Sequence, residues 1–523
     1  MEVNETKNQA MTKQNKPSSP DYIGHIIMYY KQRSICLFRD YGEFGLITDN
    51  RNFGYRHTKN FKNDIGDKIV SQSGAIFLSV LGRKPQTIDE LAQKISHQFS
   101  GVDIETIKND ARDFYCMLEK DGFIVSGNTL QECNEKDNRL SYKLIDVTES
   151  EIDYLSTDLH SEKSTQDYFE EYFKGKPQLT NLHIEITSKC NERCLHCYIP
   201  HENKFWDIRP DVFYDILKQC KEMRVLHITL SGGEPLLHKQ FCDFLRKCRE
   251  YDFSVNVLSN LTLLNDEIIA EMKENYLLGV QTSLYSMNPN IHDEITQVKG
   301  SFEKTKNAIL KLIENDIPLQ ISCPIMKQNK NSYKDVVNWA NEHKINVVDD
   351  FIILARYNHT TDNLRCRLSI DEAEEMIINS ISNDKKYFEI MESEVEQKKK
   401  STLDDIVCKV CYSSVCITEM GNVYPCAGWQ DYVLGNIKEK PLKEIWDNSE
   451  KVQYLRELRK KDFPKCIQCS EKEFCTMCLV RNANENPLGD PLIVNEFFCD
   501  VAKLNKRLFL EWKKNQTNFQ NSL

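Results

Sequence analysis

Twelve of the chain's 20 cysteines fall in two tight groups, three between Cys190 and Cys197 and nine between Cys408 and Cys499. No other feature constrains the fold as strongly: thiols gathered at this spacing in a reducing compartment serve as metal ligands, because disulfides there are not maintained. A cytoplasmic location is expected, since the stretch from Met1 to about Pro20 is polar and carries no apolar core for a secretory signal. That stretch reads as a disordered lead-in. No apolar run approaches the length of a membrane span, so no membrane partner is expected. A formal charge of -11 without an evident basic cluster argues against nucleic acid. Of the remaining cysteines, Cys36, Cys116, Cys220, Cys242, Cys248 and Cys323 sit in periodic apolar segments and read as small core residues, while Cys133 and Cys366 receive no role.

At 523 residues the chain calls for two to four domains. Short Ile-, Tyr-, Phe- and Leu-rich stretches from Ile26 to about His57 predict a few strands. An apolar helix follows over Gly74 to Leu81. A capping box at Thr87 and Glu90 opens a second, and Ile104, Ile107, Ala111, Phe114 and Leu118 mark a third that Gly122 stops. With a returning strand at Phe123 to Val125, this is a winged-helix-like module. The charged stretch to about Lys176 reads as a connector with one helix at most.

From Leu182 to Ala355 six apolar runs alternate with amphipathic helical patterns: 182–187, 225–230, 254–258, 280–284, 319–323 and 347–353. Alternation of this kind predicts a parallel sheet with helices outside it, an α/β fold built as a partial (β/α)6 barrel. Active sites of such barrels gather at the carboxyl ends of the strands. There the first strand is followed by Cys190, Cys194, Cys197 and Tyr198, and the second by Ser231, Gly232, Gly233, Glu234 and Pro235. Three thiolates bind three irons of a four-iron cluster and leave the fourth iron for a small molecule. A zinc knuckle is the competing reading, and it would want a fourth ligand nearby.

The CxxxCxxC-aromatic motif resembles the radical S-adenosylmethionine (SAM) superfamily. The resemblance implies a SAM-binding 4Fe-4S cluster on Cys190, Cys194 and Cys197 that cleaves SAM to a 5′-deoxyadenosyl radical, which then takes hydrogen from substrate. It implies SAM contacts from Tyr198 and from the GGEP-like loop, with Gly232, Gly233 and the Glu234 carboxylate at the methionine amino group. Ser259 and Asn260 would lie by the ribose, with Leu261 where relatives carry Gly, and Ser283 would lie beside them. His292, Asp293, Lys299, Gly300 and Ser301 echo the family's passage into the next helix. Roles for Tyr285, Asp293 and Arg356 in hydrogen abstraction or as a base are not legible.

The C-terminal cysteines, with nine residues between Cys411 and Gly421 and four between Gly421 and Cys426, resemble the SPASM extension of radical SAM enzymes. By that pattern Cys408, Cys411, Cys426 and Cys478 hold one auxiliary 4Fe-4S cluster, and Cys466, Cys469, Cys475 and Cys499 another. Cys478 follows Cys475 after two residues where three are usual, and Cys416 is a spare thiol able to exchange with Cys408 or Cys411. CxxC pairs binding zinc are the alternative.

The stretch from Gly66 to Val125 resembles the PqqD-like element that recognises leader peptides. A DNA-binding winged helix is the rival reading, but eight Lys and Arg against ten Asp and Glu between Phe61 and Gly122 make a poor footprint for DNA. The expected layout is a lead-in over 1–20, recognition module over 21–130, linker over 131–178, barrel over 179–375, linker over 376–405, SPASM domain over 406–510 and tail over 511–523. Together these resemblances imply a maturase of ribosomal precursor peptides, similar to thioether synthases, served by an electron donor such as flavodoxin or ferredoxin. Carbon-carbon crosslinking is the near alternative. Sulfatase maturation ranks lower because Ala427 stands where those enzymes carry Asp, and a non-catalytic iron-sulfur scaffold lower still.

Overall fold

Short strands form where Ile, Tyr, Phe and Leu recur: β1 (Tyr29–Gln32), β2 (Leu37–Asp40), β3 (Phe44–Thr48) and β4 (Asp67–Ser71). The computed structural model describes residues 27–49, 66–137, 169, 171–173, 175–381 and 386–520, so the expected lead-in and most of the first linker lie outside the described residues. β2, β3 and β4 make one antiparallel sheet in that order, and β1 lies between β5 (Gln86–Thr87) and β6 (Ile124–Gly127) in another.

Three helices cover them: α1 (Gln72–Leu81), α2 (Ile88–Ser96) and α3 (Ile104–Lys120). Each begins where a side-chain oxygen takes an unsatisfied backbone N–H, from Ser71, Thr87 and Asp103 respectively, and the Thr87–Glu90 capping box is complete. Leu78, Leu81, Leu91, Ile95, Ala111, Tyr115 and Leu118 close a core of their own. A fourth helix, α4 (Leu130–Glu135), falls in the charged connector.

Six parallel strands follow, β7 (Asn181–Thr187), β8 (His227–Gly232), β9 (Ser254–Leu258), β10 (Gly279–Ser283), β11 (Leu319–Pro324) and β12 (Asn346–Asp350), each beside its sequence neighbour. Helices at Pro210–Glu222, Phe241–Glu250, Asp266–Glu274, Ser301–Glu314 and Tyr333–Glu342 connect them. The expected α/β architecture is present. The last strand ends at Asp350 and not at Ile353, because the Asp350 carboxylate accepts from Ile352 N at 2.8 Å and turns the chain.

The cysteine-rich segment does not stand apart. β13 (Ser414–Ile417) adds to the free side of β7, parallel, with Cys416 opposite His183, and β14 (Asn422–Tyr424) and β15 (Gly435–Asn436) extend the sheet to nine strands. One apolar core consequently runs from Ile184, Leu230 and Val280 into Val415, Ile417 and Trp429. The N-terminal module docks on the barrel through Asp252, whose backbone oxygen accepts from Arg39 at 2.7 Å and whose carboxylate pairs with Arg83.

Candidate active site

Alternation along β7 sends Leu182, Ile184 and Ile186 into the core and leaves His183, Glu185 and Thr187 on the opposite face. The chain then leaves the strand into the loop that carries Cys190, Cys194 and Cys197. All three thiols line a cavity of about 370 Å³ at the carboxyl ends of the strands. Gly232, Gly233, Ser259, Asn260, Ser283 and Tyr198 line the same cavity, so the structure gathers these expected contacts in one place.

Glu234 differs. It is fully buried, does not line the cavity, and accepts from Leu236 N at 3.0 Å, Ser259 Oγ at 2.7 Å and Asn260 N at 2.7 Å. Burial pushes its carboxyl up to about 7 against the pull of these three donors. Its work here is to tie the loop after β8 to the loop after β9. What the glycine loop offers the cavity is backbone: a Cβ on Gly233 would stand 2.2 Å from Lys189 O, and one on Gly232, at φ 143°, 2.0 Å from Thr187 O. Leu261, in place of the family's Gly, keeps a left-handed φ of 62° with its side chain buried, so the backbone path survives at a local strain of roughly 1 kcal/mol.

Four residues at the cavity had no legible signal. Lys204, buried, points its Nζ at Cys197 Sγ across 3.5 Å and is, among the described residues, the only Lys or Arg lining the cavity. Glu192 accepts from Cys194 Sγ at 3.3 Å. The Tyr285 hydroxyl lies 2.9 Å from His196 Nε2 and 4.0 Å from Cys194 Sγ. A lone Lys seven residues past the last cysteine, or a His inside the motif, carries no pattern. Asp293 instead caps the following helix, accepting from Gly300 N, Ser301 Oγ and Phe302 N. Arg356 pairs with Asp362 at 3.0 Å.

The C-terminal thiols sort into two groups. Cys426 feels the charges of Cys478 and Cys408, and Cys411 that of Cys408. Cys475 feels those of Cys499, Cys466 and Cys469. Cys466, Cys469, Cys475, Cys478 and Cys499 line a cavity of about 350 Å³. Cys416 faces His183 and Glu185 across the β7–β13 pair and also feels the charge of Cys426.

The spacing tests the groups these thiols could hold. Among the described residues, none of the expected cysteine sets brings three donors within 4.8 Å of one another. Sulfurs about 2.3 Å from one tetrahedral zinc would stand about 3.8 Å apart. The wider spacing suits a multi-iron cluster. Burial pushes the Cys190 thiol up to about 11, with Lys204 pulling the other way, so ligation by iron is what would hold it as a thiolate.

Residues 184–340 match the Radical SAM superfamily and residues 408–470 the SPASM iron-sulfur cluster-binding domain. The chain thus carries a radical SAM domain followed by a SPASM domain, and together these imply a SAM-binding 4Fe-4S cluster plus auxiliary clusters. Its relatives include the AdoMet-dependent heme synthase of Methanosarcina barkeri, 24% identical over 57% of this chain and 90% of that protein. The antilisterial bacteriocin subtilosin biosynthesis protein AlbA of Bacillus subtilis is 25% identical over 63% of this chain and 74% of its own. Streptococcus suis SuiB bound to precursor peptide SuiA superposes with a TM-score of 0.54 at 15% identity, covering 90% of this chain and 99% of that one, a likeness of fold. Among the described residues no helix is long and apolar enough to cross a membrane.

Proposed function

We propose that this enzyme binds the leader of a ribosomally made precursor peptide and installs a crosslink in its core, a thioether from a Cys sulfur to a carbon of another residue. The observation that carries the peptide reading is the joining of three parts in one chain. A strand-edged N-terminal module, a barrel cavity and two further thiol groups lie along a fold shared, over nearly its whole length, with a protein solved bound to its precursor peptide. The relatedness to AlbA and to the sporulation killing factor maturation protein SkfB of Bacillus subtilis supports the same class of substrate.

The radical SAM cluster and SAM, when bound, supply a 5′-deoxyadenosyl radical. The chain's own share is binding and orientation. Cys190, Cys194 and Cys197 would hold the cluster. The backbone of Gly232 and Gly233 would meet the methionine amino group, and Lys204, as the cavity's only cation, its carboxylate. Ser259, Asn260, Ser283 and Tyr198 would border the nucleoside. A smaller cavity of about 210 Å³ shares Ile199 with the first and is lined by Glu185, Trp206, Tyr357, Glu419 and Gln430; the substrate side chain would enter there. The leader would add a strand to β4, the outer strand of its sheet, gaining backbone bonds along the edge. A flavodoxin or ferredoxin would deliver electrons.

Co-expression with the small precursor encoded beside the gene tests the reading. A mass loss of two hydrogens per crosslink is expected, located by tandem fragmentation; an unchanged mass with every neighbouring precursor overturns it. Carbon-carbon crosslinking is the second reading. It is favoured by the grouping of Cys408, Cys411, Cys426 and Cys478, since four thiols close an auxiliary cluster to substrate sulfur and fit it for electron transfer. Fragmentation separates the two bonds.

A further inference from the structure

We propose that His183, Glu185 and Cys416 form a binding site for a single divalent cation of the zinc type, separate from the cysteine-ligated clusters. One ligand atom from each lies within 4.8 Å of the other two, the one such convergence of three donors among the described residues. The arrangement follows from strand geometry. His183 and Glu185 are two apart on β7 and share a face, and Cys416 is the register partner of His183 on the adjoining parallel strand β13. A pairing slipped by one residue would turn Cys416 away from both.

The donor set has the chemistry of a borderline metal. Imidazole nitrogen, carboxylate oxygen and thiolate sulfur are the three ligand types zinc accepts, at about 2.0 to 2.3 Å each, and a soft sulfur beside nitrogen disfavours magnesium or calcium. Cys416 is fully buried and Glu185 only 2% exposed. Two anionic ligands and a neutral imidazole around a dication make an uncharged unit, the form in which charge is tolerated in such a place.

The neighbours suit orienting roles. Glu185 accepts from Gln430 Nε2 at 2.8 Å and from the Tyr198 hydroxyl at 3.4 Å, and a carboxylate retains further lone pairs beyond these two. His183 Nε2 contacts the Ser231 hydroxyl, which would fix the ring and leave its other nitrogen to ligate. The site also gives a role to a thiol that the two ligand sets of the family pattern leave over, one that feels the charge of Cys426. Glu185 lines the 210 Å³ cavity, so an open coordination position would face the space next to the SAM pocket.

The test uses the full-length protein, reconstituted anaerobically with iron and sulfide, then given zinc chloride and desalted. Elemental analysis and zinc-edge X-ray absorption should find one zinc per chain with one sulfur and otherwise nitrogen or oxygen neighbours. Cys416→Ser and Glu185→Gln should each lower retained zinc roughly tenfold or more while leaving iron content unchanged. A shell of sulfur alone places the zinc on cluster cysteines and overturns the proposal, as does zinc retention equal in wild type and variants. Should Cys416→Ser lose iron, the near-isosteric Glu185→Gln decides alone. These readouts involve no precursor peptide, so they stand or fall apart from the peptide reading.

Discussion

At the scale of single residues the SAM cavity turns on Lys204 and Gly233. Among the described residues Lys204 is the one Lys or Arg lining a cavity otherwise supplied with thiols, hydroxyls, His196, His292 and Glu192. A charge-assisted hydrogen bond from a buried ammonium contributes about 1.5 to 3 kcal/mol. Lys204→Met is therefore expected to weaken SAM binding about tenfold or more, read as the SAM concentration needed to perturb the reduced cluster's paramagnetic spectrum, with Lys204→Arg recovering part of it. Gly233→Ala drives a methyl into the Lys189 carbonyl. The backbone there has no flexible side chain to yield, so a fall in stability of about 1 to 3 kcal/mol and loss of the SAM-induced spectral change are expected together. The glycines were legible because only a residue without Cβ passes that close to another strand's backbone. Lys204 was not, since its importance comes from a three-residue turn at His201–Asn203 that folds it back over Cys197. Glu234 was legible as part of the glycine loop, while its bonds to Ser259 and Asn260 were not, since they depend on how two loops distant in sequence pack together.

At the scale of elements, the barrel strands were legible from their apolar runs, but β13 was not. Its four residues pair with a strand more than 200 positions earlier, and nothing local marks that partner. The docking of the N-terminal module was equally hidden, resting on Asp252 at the turn between the Phe241–Glu250 helix and β9. Burial works against that carboxylate's charge, yet Arg83 and Arg39 outweigh it and hold its pKa below the ordinary value. Asp252→Ala keeps the carbonyl that accepts from Arg39 but removes the carboxylate that pairs with Arg83 and offsets the charge of Arg39, itself 3% exposed. Breaking a buried pair this way costs about 3 to 5 kcal/mol, so amide exchange in β2 and β3 should accelerate while the barrel strands keep their protection. His227, at the start of β8, sets an acid limit. Burial, aided by the charge of Arg39, lowers its pKa from 6.5 to about 3. Below pH 6.5 the unfolded chain takes a proton that the native state refuses until about pH 3, so stability falls by about 1.4 kcal/mol per unit across that window and is untouched above it. Denaturant unfolding between pH 5 and 7 should show a shallower acid loss in His227→Gln than in wild type.

At the scale of the whole molecule, the barrel and the cysteine-rich domain share one sheet and one core, whereas the iron-binding groups hang from it as separate loops. The spacing of those cysteines was legible, and the resemblance to the SPASM pattern implies their two ligand sets whatever the fold between them. Their common scaffold was not, because a shared core is a property of contacts and leaves no motif. The architecture has a measurable consequence. Cys466, Cys469, Cys475 and Cys499 feel one another's charges and Cys426 those of Cys408 and Cys478, with Cys478 also lining the cavity of the other four. Removing one ligand should then empty one auxiliary site and spare the rest. Wild type reconstituted with three four-iron clusters would carry about twelve irons per chain. Cys408→Ala and Cys466→Ala are each expected to lose about four of these, and the double variant about eight, with the SAM-responsive signal of the cluster on Cys190, Cys194 and Cys197 retained in all three. A single substitution that strips both auxiliary sites would mean that the two loops fold only together. Iron that fails to fall in Cys408→Ala would mean that another thiol has taken its place, and Cys416, whose thiol lies near enough to Cys426 to feel its charge, is the candidate.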